Sequence, residues 1–290
     1  MTELLALPFM QRALVAAVLV GLTAPSIGIY LVQRRMALVG DGIGHVALTG
    51  VALGLLTRTS PVLAAVVVAV LGAVAIELVR ERGRTSGDVA LALLFYGGIA
   101  GGVVLIGFSD AATTASLDAY LFGSLTSVAP DDLVVIAALA AVVLAVGLVL
   151  RPRLFSVCQD EEFARVSGLP VRALNLVIAV LAAVTVTVAL RVVGVLLVSA
   201  LMVVPVATAQ HLARGFGTTY ALALAAGVVY ALVGVTASYY ADTASGATIV
   251  VVAIAGFLAV TALTAVRRSL AARRARAASG SPPVTTGAAG

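Results

Sequence analysis

The chain reads as an all-α polytopic membrane protein of eight or nine transmembrane helices, with a short helix on its cytoplasmic side. Three observations carry that reading. The residues are 62% hydrophobic and only 11% charged, far more apolar than a water-soluble domain. Apolar stretches long enough to cross a hydrocarbon layer of about 30 Å recur along the whole length. Most remaining charges sit in short connections that are arginine-rich on one side and, apart from a lone Arg58 in the 57–60 turn, acidic on the other, the pattern expected of a chain that crosses a membrane repeatedly with its basic loops inside.

Taken in order, hydropathy places spans near residues 13–32, 37–56, 61–79, 88–107, 132–150, 171–190, 193–212, 218–238 and 247–266. Pro61 suits the first turn of the third span, where its missing N–H costs nothing. Glycines four residues apart at Gly50/Gly54, Gly97/Gly101 and Gly98/Gly102 allow close helix contact in lipid. Pro205 is expected to kink the seventh span and free a carbonyl. Arg34-Arg35, Arg80-Arg82-Arg84, the Arg151–Arg172 stretch, Arg214 and the tail from Arg267 to Arg276 fall on one side, which is the cytoplasm. The connections at 109–132 and 241–246 carry only aspartates and lie outside. Nine spans put the N-terminus outside; Arg12 and Arg191 then stand on the disfavoured side. No basic leader or small-residue cleavage site opens the chain, so no cleavable signal peptide is expected.

Composition also excludes function classes. All 18 basic residues are arginine, so the chain has no Walker A lysine and is not itself a P-loop ATPase. The net charge of +5 is spread over loops and tail, which argues against a nucleic-acid surface. The single cysteine, Cys158, offers neither an intramolecular disulfide nor a metal-binding cluster. No serine–histidine–acid or paired-carboxylate set gathers in one place, so hydrolysis within the membrane is not expected.

The second span holds Asp41 and His45. At a spacing of i,i+4 the two lie on one helix face, about 6 Å apart along the axis, so both can point at one ion. Ionisable groups inside a spanning helix usually line a cavity or a pathway. With the helix starting near Arg35, His45 would lie roughly 15 Å deep, about mid-membrane. The plainer alternative is that Asp41 caps the helix or pairs with Arg34 or Arg35, and that His45 bonds a neighbouring helix. Glu77, Asp88 and Asp242 stand at span ends, where solvation or capping is expected, and His211 lies at the cytoplasmic interface beside Arg214. The outer stretch from Asp118 to Leu125 is apolar enough to dip back toward the membrane.

The cytoplasmic stretch from Ser156 to Pro170 is the longest polar insertion between inner span ends. Asp160, Glu161 and Glu162 suit a helix start, Glu161 and Arg165 pair at i,i+4, and Gly168 and Pro170 end the helix. Phe163 and Val166 form a small apolar face. Such a helix is suited to docking a partner; the plainer alternative is an ordinary surface helix.

These residues resemble the zinc/manganese/iron ABC transporter permeases, the ABC-3 family. The resemblance rests on Arg35-Met36-x-x-x-Gly40-Asp41-x-x-x-His45, on Asp160-Glu161-Glu162-x-Ala164-x-x-x-Gly168-Leu169-Pro170-Val171, and on Arg191 to Leu201. Pro205-x-Ala207-Thr208-Ala209, Tyr120-Leu121-Phe122-Gly123 and Asp242-x-x-Ser245-Gly246 also fit, so that it covers roughly residues 8–266. Two positions depart: Thr49 stands where relatives often carry proline, and Gly44 where serine or alanine commonly precedes the histidine. The resemblance implies an importer membrane domain over 1–266 in the bacterial plasma membrane, with a basic, disordered cytoplasmic tail over 267–290. Two permease copies would form the pathway, a cytoplasmic ABC ATPase subunit would bind ATP below, and an extracytoplasmic metal-binding lipoprotein would deliver the ion. The helix at about 158–168 would be the coupling helix, using Asp160, Glu161, Glu162, Ala164, Arg165, Gly168 and Leu169. Asp41 and His45 would contact the metal.

The expected function is therefore the permease subunit of an ABC importer for a divalent transition metal, zinc or manganese first and iron next, with no cofactor resident in the chain. The alternative is a proton-coupled secondary transporter with Asp41 and His45 as relay. That alternative would call for internal repeats and would leave the Gln159–Pro170 insertion without a role.

Overall fold

Proline marks where several of these helices begin. The computed structural model describes residues 7–81, 87–108, 120–123, 130–190 and 192–279. Pro8, Pro61 and Pro130 each open a long apolar helix, a position where the ring's fixed φ helps and no N–H is missed. The helices are α1 (Pro8–Gln33), α2 (Val39–Leu56), α3 (Pro61–Glu81), α4 (Gly87–Gly107), α5 (Pro130–Val149), α6 (Arg151–Gln159), α7 (Glu161–Val166), α8 (Val171–Ala189), α9 (Val198–Leu212), α10 (Phe216–Ala241) and α11 (Ser245–Ser279). A single 3-10 turn, Val195–Leu197, precedes α9. Among the described residues there is no strand.

Eight of these helices are long and apolar enough to cross a membrane. The span expected at 193–212 is corrected. It resolves into a buried non-helical approach, the 3-10 turn and α9, whose 15 residues reach only about 22 Å at 1.5 Å per residue. Val192, Val193 and Val195 are apolar because protein surrounds them, and Gly194 breaks the helix with φ +84°.

The bundle has two parts. α2 packs between α3 and α4, while α1 packs against α5, α9 and α10, with α11 against α9 and α10. α8 joins the parts by touching α1, α2, α3 and α5. At Gly28 of α1 a Cβ would run into the Met202 carbonyl of α9, so those two backbones are in direct contact.

Three dispersed motifs meet at one end of the bundle. The Ser245 hydroxyl donates to the Val192 carbonyl at 3.0 Å. Gly123 and Gly194 both take positive φ; a Cβ on Gly123 would lie 2.5 Å from Val192 O, and one on Gly194 would strike Leu121 O. The segment 120–123 is thus held by protein, with Tyr120 buried, where a dip toward lipid was expected; residues 109–119 and 124–129 of that loop, like Arg191, lie outside the described residues. At the other end α11 continues to Ser279, so residues 267–279 of the expected disordered tail are helical, and 280–290 lie outside the described residues.

Candidate metal site and cytoplasmic coupling surface

The α1–α2 linker is a hydrogen-bonded turn. Arg34 N–H donates to the Tyr30 carbonyl, Met36 N–H to Leu31 and Val39 N–H to Met36, with Arg35 in the left-handed region at φ +58°. α2 therefore starts at Val39, four residues later than expected. Asp41 lies in its first turn, and His45 is only about 9 Å along the axis from the helix start. Both stay on one face of a continuous helix, Asp41 near its start and His45 about 4 Å short of its midpoint.

Asp41 stands in the first turn of α2, where the helix dipole favours an acid. The residue before the helix, Leu38, supplies no side-chain cap, and among the described residues Asp41 joins no ion pair. Arg34 turns instead to Glu161. His45 is buried at 8% exposure, and its ring meets Phe95 edge-on with centroids 4.5 Å apart. No hydrogen bond to the imidazole is found among the described residues, so its nitrogens are not committed to a neighbouring helix.

α4 crosses α2 at His45. A Cβ on Gly98 would lie 2.6 Å from Val46 N and 2.7 Å from the His45 carbonyl carbon, so only glycine permits this approach. Both departures from the family pattern have local structural correlates. The Thr49 hydroxyl donates to Gly98 O at 2.7 Å and so ties α2 to α4. At Gly44 a Cβ would sit 3.3 Å from Val195 Cγ1, so the buried 3-10 turn rests against the site helix. Among the described residues no third histidine, cysteine or carboxylate completes a metal cluster with Asp41 and His45.

The candidate coupling segment is two helices. Asp160 is extended (φ −152°, ψ 106°), and its Oδ1 accepts from Phe163 N at 2.9 Å. It ends α6 and caps α7, which confines the helix expected over 158–168 to Glu161–Val166. Glu161 and Glu162 fill its first turn, where the helix dipole favours acids. At its end Leu169 N–H donates to Ala164 O and Gly168 N–H to Arg165 O, with Gly168 at φ +80°, a glycine C-terminal stop. Ala164 is fully buried, whereas Phe163 and Val166 are 68% and 88% exposed, an unpartnered apolar tip. Glu161 pairs with Arg165 at 3.4 Å, as the spacing predicts. Beside it opens a cavity of about 750 Å³, lined in part by Arg80, Glu81, Arg165, Arg172 and Asn175.

Two further contacts shape this end. Glu77, expected at a solvated span end, is buried and accepts two hydrogen bonds from Arg80, at 2.6 and 3.0 Å. Its i,i+3 spacing to Arg80 was the available signal. The Arg34–Glu161 pair joins residues 127 apart and has no sequence signature. Cys158 is half-buried at the end of α6, and burial pushes its thiol pKa up to about 11. His211 stacks near Phe257 with centroids 5.5 Å apart, and Asp242 is the exposed, left-handed cap of α10.

The described residues form a bundle of eight candidate membrane spans with a short capped helix between two of them, the architecture of a multi-pass membrane protein. A family model for the ABC 3 transport family matches residues 6–264, and the chain belongs to that family. It is 36% identical over 252 residues to the manganese transport system membrane protein of Halalkalibacterium halodurans, covering 87% of this chain and 86% of that one. It is 34% identical to the chelated iron transport system membrane protein of Yersinia pestis (87% and 84% covered). To the high-affinity zinc uptake system membrane protein of Haemophilus influenzae it is 29% identical (82% and 91% covered). Among solved structures it is similar to PsaBC from Streptococcus pneumoniae in complex with Fab, with TM-score 0.81, 28% identity, and 89% of this chain and 93% of that chain covered. The protein is thus a multi-pass bacterial membrane protein and the permease of a metal ABC transporter, and it is not itself an enzyme.

Proposed function

We propose that this chain forms the membrane pathway of an importer that carries a divalent transition metal, manganese or zinc first, into the cytoplasm. The observation that carries the reading is the Asp41–His45 face of α2, an acid and an imidazole with no other hydrogen bond or ion pair among the described residues. A carboxylate with an imidazole suits manganese, iron or zinc alike, which agrees with the metals named for the three relatives. Two ligands from one chain leave a tetrahedral ion short of four. A second copy of the chain, other spans or water supply the rest, and an incomplete shell lets the ion leave. A cytoplasmic ATPase docks on α7 through the exposed Phe163 and Val166, and an extracytoplasmic lipoprotein delivers the ion. The proton-relay alternative finds no support in the family membership.

The test is metal content of a deletion strain supplied with each metal singly and complemented by variants. His45→Ala and Asp41→Ala are each expected to cut uptake at least about tenfold, or about 1.4 kcal/mol in transition-state terms, with membrane insertion and ATPase co-purification unchanged. Asp41→Glu should keep part of the activity. Wild-type uptake by His45→Ala would reduce the pair to helix packing, and metal content unaffected by deletion would overturn the transport reading.

A further inference from the structure

We propose that the Arg34–Glu161 ion pair is the strut through which the cytoplasmic helix α7 moves the metal-site helix α2. The inference rests on the transport reading above and adds the residue path by which force crosses the chain. Glu161 divides its two oxygens between two arginines of different character. Oε1 meets Arg165 at 3.4 Å, whose side chain is 68% exposed; Oε2 meets Arg34 at 3.3 Å, whose side chain is 8% exposed. The first pair lies within α7 and is screened by water. The second reaches out of α7 to a buried cation, where loss of Glu161 leaves the Arg34 charge stranded.

Arg34 is well placed to pass a displacement on. It ends α1 with its own N–H bonded to Tyr30 O, and the four residues from Arg35 to Leu38 form the hydrogen-bonded turn described above. That turn is short and bonded, so it transmits a shift where a flexible loop would absorb it. On its far side Met36 Sδ accepts from Arg80 Nη1 at 3.6 Å, and Arg80 is itself held by buried Glu77. The linker is therefore gripped by α7 on one side and α3 on the other, and it leads directly into the helix that carries Asp41 and His45. Arg34 acts through α2 and touches no substrate, so it is a positioning residue.

A static staple would lower stability when broken and leave the coupling ratio alone, which makes that ratio the readout. The complete complex, reconstituted in proteoliposomes with its ATPase and metal-binding protein, is assayed for metal moved per ATP hydrolysed. Arg34→Gln, at a residue outside the docking helix, is expected to lower the ratio at least about fivefold with ATP hydrolysis and ATPase co-purification retained, and Glu161→Gln is expected to lower the ratio at least as far. The reversal pair Arg34→Glu/Glu161→Arg should bring it back to within about twofold of the unaltered complex, while each single reversal stays low. If Arg34→Gln fails to assemble, Glu161→Gln, at a side chain 41% exposed, gives the same reading with an acceptor kept in place. An unchanged ratio in the single variants that assemble, or a fall that the reversal pair does not repair, overturns the strut. No uptake by the unaltered complex would refute the transport reading itself.

Discussion

α1 and α5 look alike as strings of apolar residues, yet 72% of the α1 span is buried within the protein and only 22% of the α5 span. The contrast extends to the other spans. α3, α4, α5 and α11 are the most hydrophobic and the least buried, whereas α1, α2 and α8 are less hydrophobic and mostly enclosed. In water the ranking would run the other way. In lipid, a side chain loses nothing by facing hydrocarbon, so helix contacts depend on close packing and hydrogen bonds. Small and polar residues mark the interior: Thr23, Ser26, Ala13, Ala16, Ala17, Thr185 and Thr187 are buried, and the polar ones bond to their own helix carbonyls.

The largest effect should come from bulk at the α1–α9 contact. Gly28→Leu drives a side chain into the Met202 backbone, which has no rotamer with which to yield. A loss of about 3 kcal/mol is expected from overpacking, read as a fall in melting temperature and in monodisperse yield. A normally stable variant would show that α1 and α9 separate freely.

Next is the buried ion pair. Glu77→Ala strands Arg80 beside Met36, but Arg80 retains 28% side-chain exposure. The expected cost is about 2 kcal/mol, below the range for fully buried pairs because water reaches the cation. Thermal unfolding measures it, and Glu77→Gln should recover part of the loss.

Smaller again is a difference in reactivity. Cys158 is the only thiol, and desolvation raises its pKa to about 11. Since the thiolate is the nucleophile, maleimide in inside-out vesicles should label it slowly near neutral pH, with the rate climbing toward pH 11. Rapid labelling at neutral pH would mean that the end of α6 opens to solvent, and labelling in intact cells would reverse the orientation.

The smallest effect belongs to the lipid-facing helices. Leu71 and Val142 are 63% and 54% exposed, and truncation of either to alanine should change stability by no more than about 0.5 kcal/mol. A cost near that of Gly28→Leu would place a second protein surface there.

Much of this was legible in the residues. Long apolar runs locate spans because a spanning helix must satisfy its backbone internally and present apolar side chains around it. The alternation of Arg34-Arg35 and Arg151–Arg172 with acidic loops predicts the sides, which the Cys158 labelling tests. Asp160, Glu161 and Gly168 announced a short capped helix through local hydrogen bonding alone, and helical periodicity put Asp41 and His45 on one face. Those signals are local, a matter of spacings of a few residues.

The tertiary structure decided the rest, because those features depend on partners far along the chain. Hydropathy read 193–212 as a span, since burial by protein and burial by lipid select the same valines; only the fold shows Gly194 and Gly123 pressed backbone to backbone. The helix start at Val39 follows from the turn over Arg34–Leu38, which sets the depth of His45. Glu161 had a predictable mate in Arg165, four residues away. Its deeper mate, Arg34, is 127 residues distant, and no periodicity reports a contact made only when α7 folds back beneath α1.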